Sequence, residues 1–473
     1  MRPALPLAIL ASLALAACAS ARKADVRLPT AYEAPQAPPG AVALDSWWTA
    51  FNDPQLTGLI EQSLAANPDA RSAAARLAEA RAARTSALVQ FLPQGDGAAS
   101  TRRTHTDQLS GTLANIPGFS TSGTSEQSQA NFNVSWEVDL FGRVFAAAKA
   151  VGGDVAAARF SYEGTRASLA AQVADAYFQA RGLTIQLADA RETARIERSL
   201  YDVATKSAAA GIGAASDADR VAGDLAQADA QAAGLEAELQ VQRRLLLILA
   251  GRTVEPTANI EVTPVVGVLP PVPASLPSDL LARRPDVREA QARIDSQVGR
   301  LQAARLAFLP TLTFTPGIGW SKITQPGFSS TTETHTIGGS ISQPILSIPR
   351  LLADEKAQRA RTEQAVIAYE KAVQTAFSDS EGALVRLDAD KRRVALLTDG
   401  EVRAHRAYEA SRIGYERGLT DLQTALSVEQ SWRATRTQLT SAQVQALRRT
   451  VQAYKALGGG WPADRFPTQA QAR

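Results

Sequence analysis

The chain has 473 residues with 50 basic and 47 acidic side chains, a formal net charge of +3 that is too close to balance for a nucleic-acid footprint or a polyacidic tail. It is 45% hydrophobic, yet beyond Ala17 no stretch approaches about 20 apolar residues, so a membrane span there would have to be β rather than α. The three histidines, His105, His335 and His405, are far apart and lack a cysteine or second histidine at ligand spacing, so no metal site and no cofactor is expected.

Arg2 precedes an apolar run from Leu5 to Ala17 that ends in small residues. A short basic start, a short apolar core and a small-residue break describe a secretory signal over residues 1–17, too short to cross a bilayer as a helix. Cys18 is the single cysteine, so no intrachain disulfide can form. Leu15-Ala16-Ala17-Cys18 resembles a bacterial lipobox, in which the thiol is acylated by chains such as palmitate; Ala19, rather than an aspartate, follows it and points to the outer membrane. Residues 18–45, with Pro29, Pro35, Pro38 and Pro39, read as an extended lipidated tether.

Trp47-Trp48-Thr49-Ala50-Phe51-Asn52-Asp53-Pro54 introduces a helix near residues 54–65, and Asn67-Pro68 starts a second that runs to about Val89 with proline in its first turn. Gln94 to His105 is a weak strand with scattered Gly, Ala and Ser. Residues 128–141 are a strong one: Ala130, Phe132, Val134, Trp136, Val138 and Leu140 alternate with Asn131, Asn133, Ser135, Glu137 and Asp139, so one face meets something oily and the other something wet. In the second half, Leu312, Phe314, Ile318 and Trp320 alternate with polar residues. Pro316 among them implies a bulge or a locally open ladder. Ile337, Gly339, Ile341 and Ile345 continue the same phase. Segments 110–128 and 324–334, rich in Ser, Thr and Gly, read as external loops joining each strand pair.

No proline occurs from Ser120 through Glu255 or from Arg350 through Trp461, which leaves long helices free to run. A helix from Arg143 to Ala210 would be about 100 Å long, beyond the reach of an ordinary domain. Alanine lets such arms pack closely, and Arg191, Glu192, Arg195, Glu197 and Arg198 supply a solvated face. Gly211 and Gly418 stand where each arm must reverse, because glycine provides the left-handed backbone of a tight turn.

The two halves repeat. Tyr162 and Tyr369, Gly211 and Gly418, and Gly251 and Gly458 all stand 207 positions apart, whereas Phe91-Leu92-Pro93 and Phe308-Leu309-Pro310 stand 217 apart, so the first strand pair is the longer. The expected layout is a signal (1–17), a lipidated tether (18–45), a first repeat of helices, β-hairpin and long helical hairpin (46–255), a connector (256–275), a second repeat (276–461) and a tail (462–473).

These strings together resemble the outer-membrane factor family, the TolC-like proteins, and within it the NodT-type outer-membrane lipoproteins of tripartite efflux systems. The carriers are Cys18; Trp47-Trp48 with Phe51, Asp53 and Pro54; Asp139-Leu140-Phe141-Gly142-Arg143; Leu281 through Asp286; Phe308-Leu309-Pro310; and Leu457-Gly458-Gly459-Gly460-Trp461. The resemblance implies an α+β membrane protein. Its fold would be a homotrimer closing a 12-stranded β-barrel, four strands per protomer, on a long periplasmic α-helical tunnel. It implies a passive duct from a periplasmic adaptor, and through it an inner-membrane pump, to the outside. Outer-membrane lipid would be a further partner, and nucleic acid would not. The adaptor-contact turns would be Gly211, Ile212 and Gly213 in the first half and Gly418, Leu419 and Thr420 in the second.

At the periplasmic gate the family usually carries an aspartate ring after the second turn. Here Ser427 stands at that place, and Gln423, four residues earlier on the same helix face, replaces a usual leucine. A gate of Gln423 and Ser427 is neutral. Asp421 and Glu429 are the nearby carboxylates that could form an acidic ring instead. A lipid-anchored coiled-coil scaffold would account for Cys18 and the arms but not for a strand pair at the same point of each repeat. An enzyme is not expected, because no nucleophile elbow, phosphate-cradling glycine loop or paired catalytic carboxylate appears.

Overall fold

A computed structural model describes residues 24–34, 44–107, 123–417 and 419–462; the signal, Cys18 and Gly418 lie outside the described residues. After a 3₁₀ segment, Leu44–Phe51, come α1 (Pro54–Ala66), α2 (Pro68–Val89), β1 (Gln94–Thr106), β2 (Gly123–Val138), α3 (Arg143–Ala209) and α4 (Ala215–Leu249). The same order recurs as α5 (Leu280–Arg283), α6 (Pro285–Leu306), β3 (Thr311–Gln325), β4 (Phe328–Ser342), α7 (Ile348–Glu416) and α8 (Leu422–Ala456). The long arms α3 and α7 have 67 and 69 residues, so each extends about 100 Å at ~1.5 Å per residue. Among the described residues no helix is long and apolar enough to cross a membrane.

Two expectations need correction. The strong strand begins earlier and stops at Val138, because Asp139 turns its carboxylate to the next helix. The weak strand from Gln94 is present as expected, paired residue for residue with β2 from Gln94↔Ser135 to Thr106↔Gly123. Segment 324–334 is not a loop. Only Pro326 and Gly327 separate β3 from β4, with Gly327 at φ +79° making the reversal, and the Ser and Thr residues that follow pair across the ladder. Pro316 opens the ladder as expected. It pairs with Ile337 of β4, but the β2–β3 register passes from Asn133↔Gly317 to Trp136↔Phe314 without partners between.

The chain forms two compact units. The first holds residues 78–156 and 291–367, and its centre is one antiparallel sheet in the order β1-β2-β3-β4. In this unit α3 and α6 approach closely through small residues: a Cβ on Gly153 would lie 2.5 Å from the Ser296 backbone nitrogen and 2.8 Å from the Ala292 oxygen. Asp154 seals the contact, accepting from Ser296 Oγ at 2.6 Å and Arg300 Nη2 at 2.7 Å.

The second unit holds residues 25–77, 157–290 and 368–473 and carries the hydrophobic core. The tryptophan string of the N-terminal segment is its plug. Trp47 is fully buried and stacks on Tyr454 with ring centroids 5.6 Å apart, while Phe51 meets Phe178 at 4.9 Å. Such ring pairs add about 0.5–1.5 kcal/mol to the burial itself. Burial pushes the Tyr454 phenol up to about 12, and its Oη donates to Pro271 O at 2.9 Å. The glycine run near the C-terminus fits against this plug: a Cβ on Gly459 would sit 2.9 Å from Leu44 O, and Gly460 N–H donates to that same oxygen at 2.8 Å. Trp461 closes the run by donating Nε1–H to Arg283 O at 2.8 Å. Asp53 starts α1, its Oδ1 accepting from the N–H groups of Gln55 and Leu56 at 3.1 Å. Its other oxygen takes Arg181 at 2.7 Å and the Tyr177 hydroxyl at 3.0 Å.

Candidate functional site

The sheet has two chemically different faces. Ladder partners share a face, so Phe132↔Ile318, Ala130↔Trp320, Trp136↔Phe314 and Leu312↔Ile341 place aromatic and aliphatic side chains together on one side. Most of these groups stand exposed on the chain, Ile341 at 75%, as does Ile337 on the same face of β4 at 83%, while Leu312 is half-buried. The opposite side carries Asn131, Asn133, Thr311, Thr313, Ser340 and Ser342. An exposed, contiguous apolar sheet face backed by hydroxyls and amides has the two-sided pattern of a barrel wall, apolar toward lipid and polar toward water. Strands β1 and β4 are both open edges.

The strand-to-helix string Asp139-Leu140-Phe141-Gly142-Arg143 is a helix cap. Asp139 Oδ1 accepts from Gly142 N–H and Arg143 N–H, both at 2.8 Å, and Oδ2 from Val144 N–H at 2.9 Å. Burial alone would raise this carboxyl, but the backbone donors outweigh it and hold it below the ordinary carboxylate range. Gly142, at φ +82°, makes the corner, and Arg143 pairs with Glu137 at 2.8 Å.

Along the arms of the second unit, α3 and α8 run antiparallel and are joined by polar rungs. Arg448 grips Asp175 with two bonds of 2.7 and 3.0 Å, Gln186 meets Ser441 at 3.0 Å, Arg436 meets Asp189 at 2.9 Å and Arg433 reaches Thr193 at 3.0 Å. Between rungs the backbones come close: a Cβ on Gly182 would fall 2.6 Å from Val444 Cγ2. On its other side α3 pairs with α4 through Arg191–Glu236 and Arg198–Asp229. Glu197, expected on the solvated face, is instead buried, because it continues the inward stripe of Ala190 and Ala194 at helical spacing.

The first reversal is built as expected. Gly211 takes φ +72°, the N–H groups of Ile212 and Gly213 both donate to Ser207 O at 3.1 Å, and Ile212 projects with 83% exposure. In the second, Leu419 is likewise exposed and Thr420 Oγ1 donates to Ser411 O at 3.3 Å. Gln423 and Ser427 are both exposed on the first turns of α8. The two neighbouring carboxylates are occupied. Asp421 caps α8, taking Thr424 N–H at 2.8 Å and Thr424 Oγ1 at 2.9 Å, which hold its carboxyl low. Glu429 is buried against Arg433 at 2.6 Å. Sequence reasoning missed the Asp53–Tyr177–Arg181 cluster and the Glu429–Arg433 pair; an i,i+4 acid–base spacing was the available signal for the second.

The outer membrane efflux protein family model matches residues 59–252 and 276–459. The pyoverdine export outer membrane protein OpmQ of Pseudomonas aeruginosa is 29% identical over 430 residues, covering 89% of this chain and 88% of that protein. The toluene efflux pump outer membrane protein TtgC of Pseudomonas putida is 30% identical over 450 residues, covering 91% of this chain and 88% of the relative. Among solved structures, the outer-membrane channel OprN superposes with a TM-score of 0.77 at 25% identity over 94% of this chain and all of its own. With its two-faced sheet and paired long arms, the chain belongs to the outer membrane efflux protein family, has the TolC-like fold and is an outer-membrane channel component of an efflux system.

Proposed function

We propose that three copies of the chain close one passive duct, each contributing its four strands to a barrel of twelve. The observation that carries this reading is the sheet itself: an exposed apolar face bounded by two unpaired edges, β1 and β4. Unpaired backbone groups cost several kcal/mol each in hydrocarbon, and closure by neighbouring copies removes the edges. The long arms form the periplasmic tunnel. At its end the two turns, with Ile212 and Leu419 projecting, meet a periplasmic adaptor that links the duct to an inner-membrane pump. Acylated Cys18 tethers the N-terminus to the inner leaflet of the outer membrane, and Gln423 with Ser427 lines a neutral gate.

The test is reconstitution of the purified full-length protein in a planar bilayer together with a native mass measurement in detergent. Stepwise conductance from a three-copy species is expected. Intact trimers with no conductance would make the chain a spacer between two membranes.

A further inference from the structure

We propose that Glu197 is a proton-operated latch between α3 and α8, holding the helices together while its carboxyl is protonated and loosening them when it ionises. Its consequence for transport rests on the duct reading above; the latch itself does not. Glu197 is 6% exposed, and its Oε2 has no hydrogen-bond partner. Two helices bring charge to it: Asp224 and Arg220 from α4, and Glu429 and Arg433 from α8, the last also bonded to Thr193 of α3. Tyr408 of α7 stacks on Trp432 and lies within the field of Glu429 and Arg433.

Arg433 lies close enough to lower the Glu197 carboxyl somewhat, but its hydrogen bonds go elsewhere. Its Nε and Nη2 both donate to Glu429 Oε1, at 2.8 and 2.6 Å, and its Nη1 donates to Thr193 Oγ1 at 3.0 Å. Arg220 is exposed, so water screens it. An ionised Glu197 would thus be a third carboxylate beside one buried guanidinium already neutralised by the second. Burial first, then Asp224 and Glu429, push its carboxyl above the ordinary range. The sign follows: a raised carboxyl favours the packed state fully below its unfolded pKa, and that contribution is lost as pH rises through the folded value. Hydrating the new charge requires α3 and α8 to part at the Thr193–Arg433 and Asp189–Arg436 rungs. The site lies three turns before the end of α3 and two turns into α8, so the loosening reaches the turns carrying Gln423 and Ser427.

Hydrogen exchange of the full-length protein tests the latch without requiring conduction. Amides of residues 190–201 and 426–436 are followed from about pH 4 to about pH 8 and corrected for intrinsic rates. In wild type, corrected exchange should rise about tenfold with pH; in Glu197→Gln, which keeps the shape of the protonated acid, it should stay flat. His405→Gln, which alters the imidazole packed on Trp432, should behave as wild type. Glu429→Gln frees Arg433 for Glu197 and should move the midpoint to lower pH. A flat wild-type profile, a pH response that survives Glu197→Gln or vanishes in His405→Gln, or an unmoved midpoint in Glu429→Gln would each overturn the latch. Absent conductance beside an intact exchange response would sink the duct reading alone.

Discussion

Replacing Asp53 separates two jobs that one buried side chain performs. Its Oδ1 caps α1 and its Oδ2 neutralises Arg181; the side chains of Asp53 and Arg181 are only 10% and 13% exposed. The guanidinium also lies over the Tyr177 ring at 4.9 Å, and its Nε has no hydrogen-bond partner, so the Asp53 carboxylate is its principal anionic contact. Loss of an N-cap costs about 1 kcal/mol, and stranding a buried charge costs about 3–5 kcal/mol, so Asp53→Ala should destabilise by about 4–6 kcal/mol. Asp53→Asn keeps an oxygen for the cap and loses the acceptor that Arg181 and the Tyr177 hydroxyl share, mainly the charge pairing at about 3–5 kcal/mol. Adding Arg181→Met to Asp53→Ala removes the stranded charge and should return the protein to within about 1–2 kcal/mol of wild type. Thermal unfolding followed by tryptophan fluorescence, with Trp47 in the same core, reads the order: wild type, then the double variant, then Asp53→Asn, then Asp53→Ala. If the double variant is less stable than Asp53→Ala, the ion pair is not what holds this corner together.

Two more outcomes follow from the same geometry. Asp139→Ala removes every side-chain acceptor from the first turn of α3 and should cost about 1–2 kcal/mol. Because its carboxyl is held low, its contribution is present above the ordinary carboxylate range and is lost as pH falls below it, so the melting difference between wild type and variant should shrink in acid. In the trimer proposed above, Ser427→Asp should introduce block by divalent cations, since three carboxylates would converge on one axis and form an oxygen-rich cation site; strong block in the wild-type single-channel record would mean that another acidic ring lines the constriction.

The fold was readable wherever a side-chain period survived in the sequence. Strand β2 alternates because its large residues stand on one face, and α3 and α7 announce themselves by uninterrupted length. The partner β1 was nearly invisible for a reason that the ladder supplies. Gly97 pairs directly with Phe132, and a Cβ on Gly95 would come within 3.0 Å of the same ring. The bulky groups of β2 thus cover the positions where β1 would otherwise show its own alternation. Segment 324–334 misled in the opposite way: Ser and Thr read as loop by composition, but each finds a cross-strand partner, and a single Pro-Gly step suffices for the turn.

Charge on a helix posed a harder problem, since type and phase gave different answers. Arg191, Glu192, Arg195 and Arg198 fall on one side of α3 and are exposed, while Glu197, one residue before Arg198, falls seven after Ala190 and three after Ala194 on the buried side. Its neighbours Asp224 and Glu429 arrive from helices 27 and 232 positions further along the chain, separations across which no local pattern carries information. A buried acid placed by helical phase, and opposed by acids that only the tertiary fold brings near, has its carboxyl pushed above the ordinary range by burial first and by those acids second. The same arm that supplies mechanical length to the duct therefore also carries a group whose ionisation works against the arm's own packing.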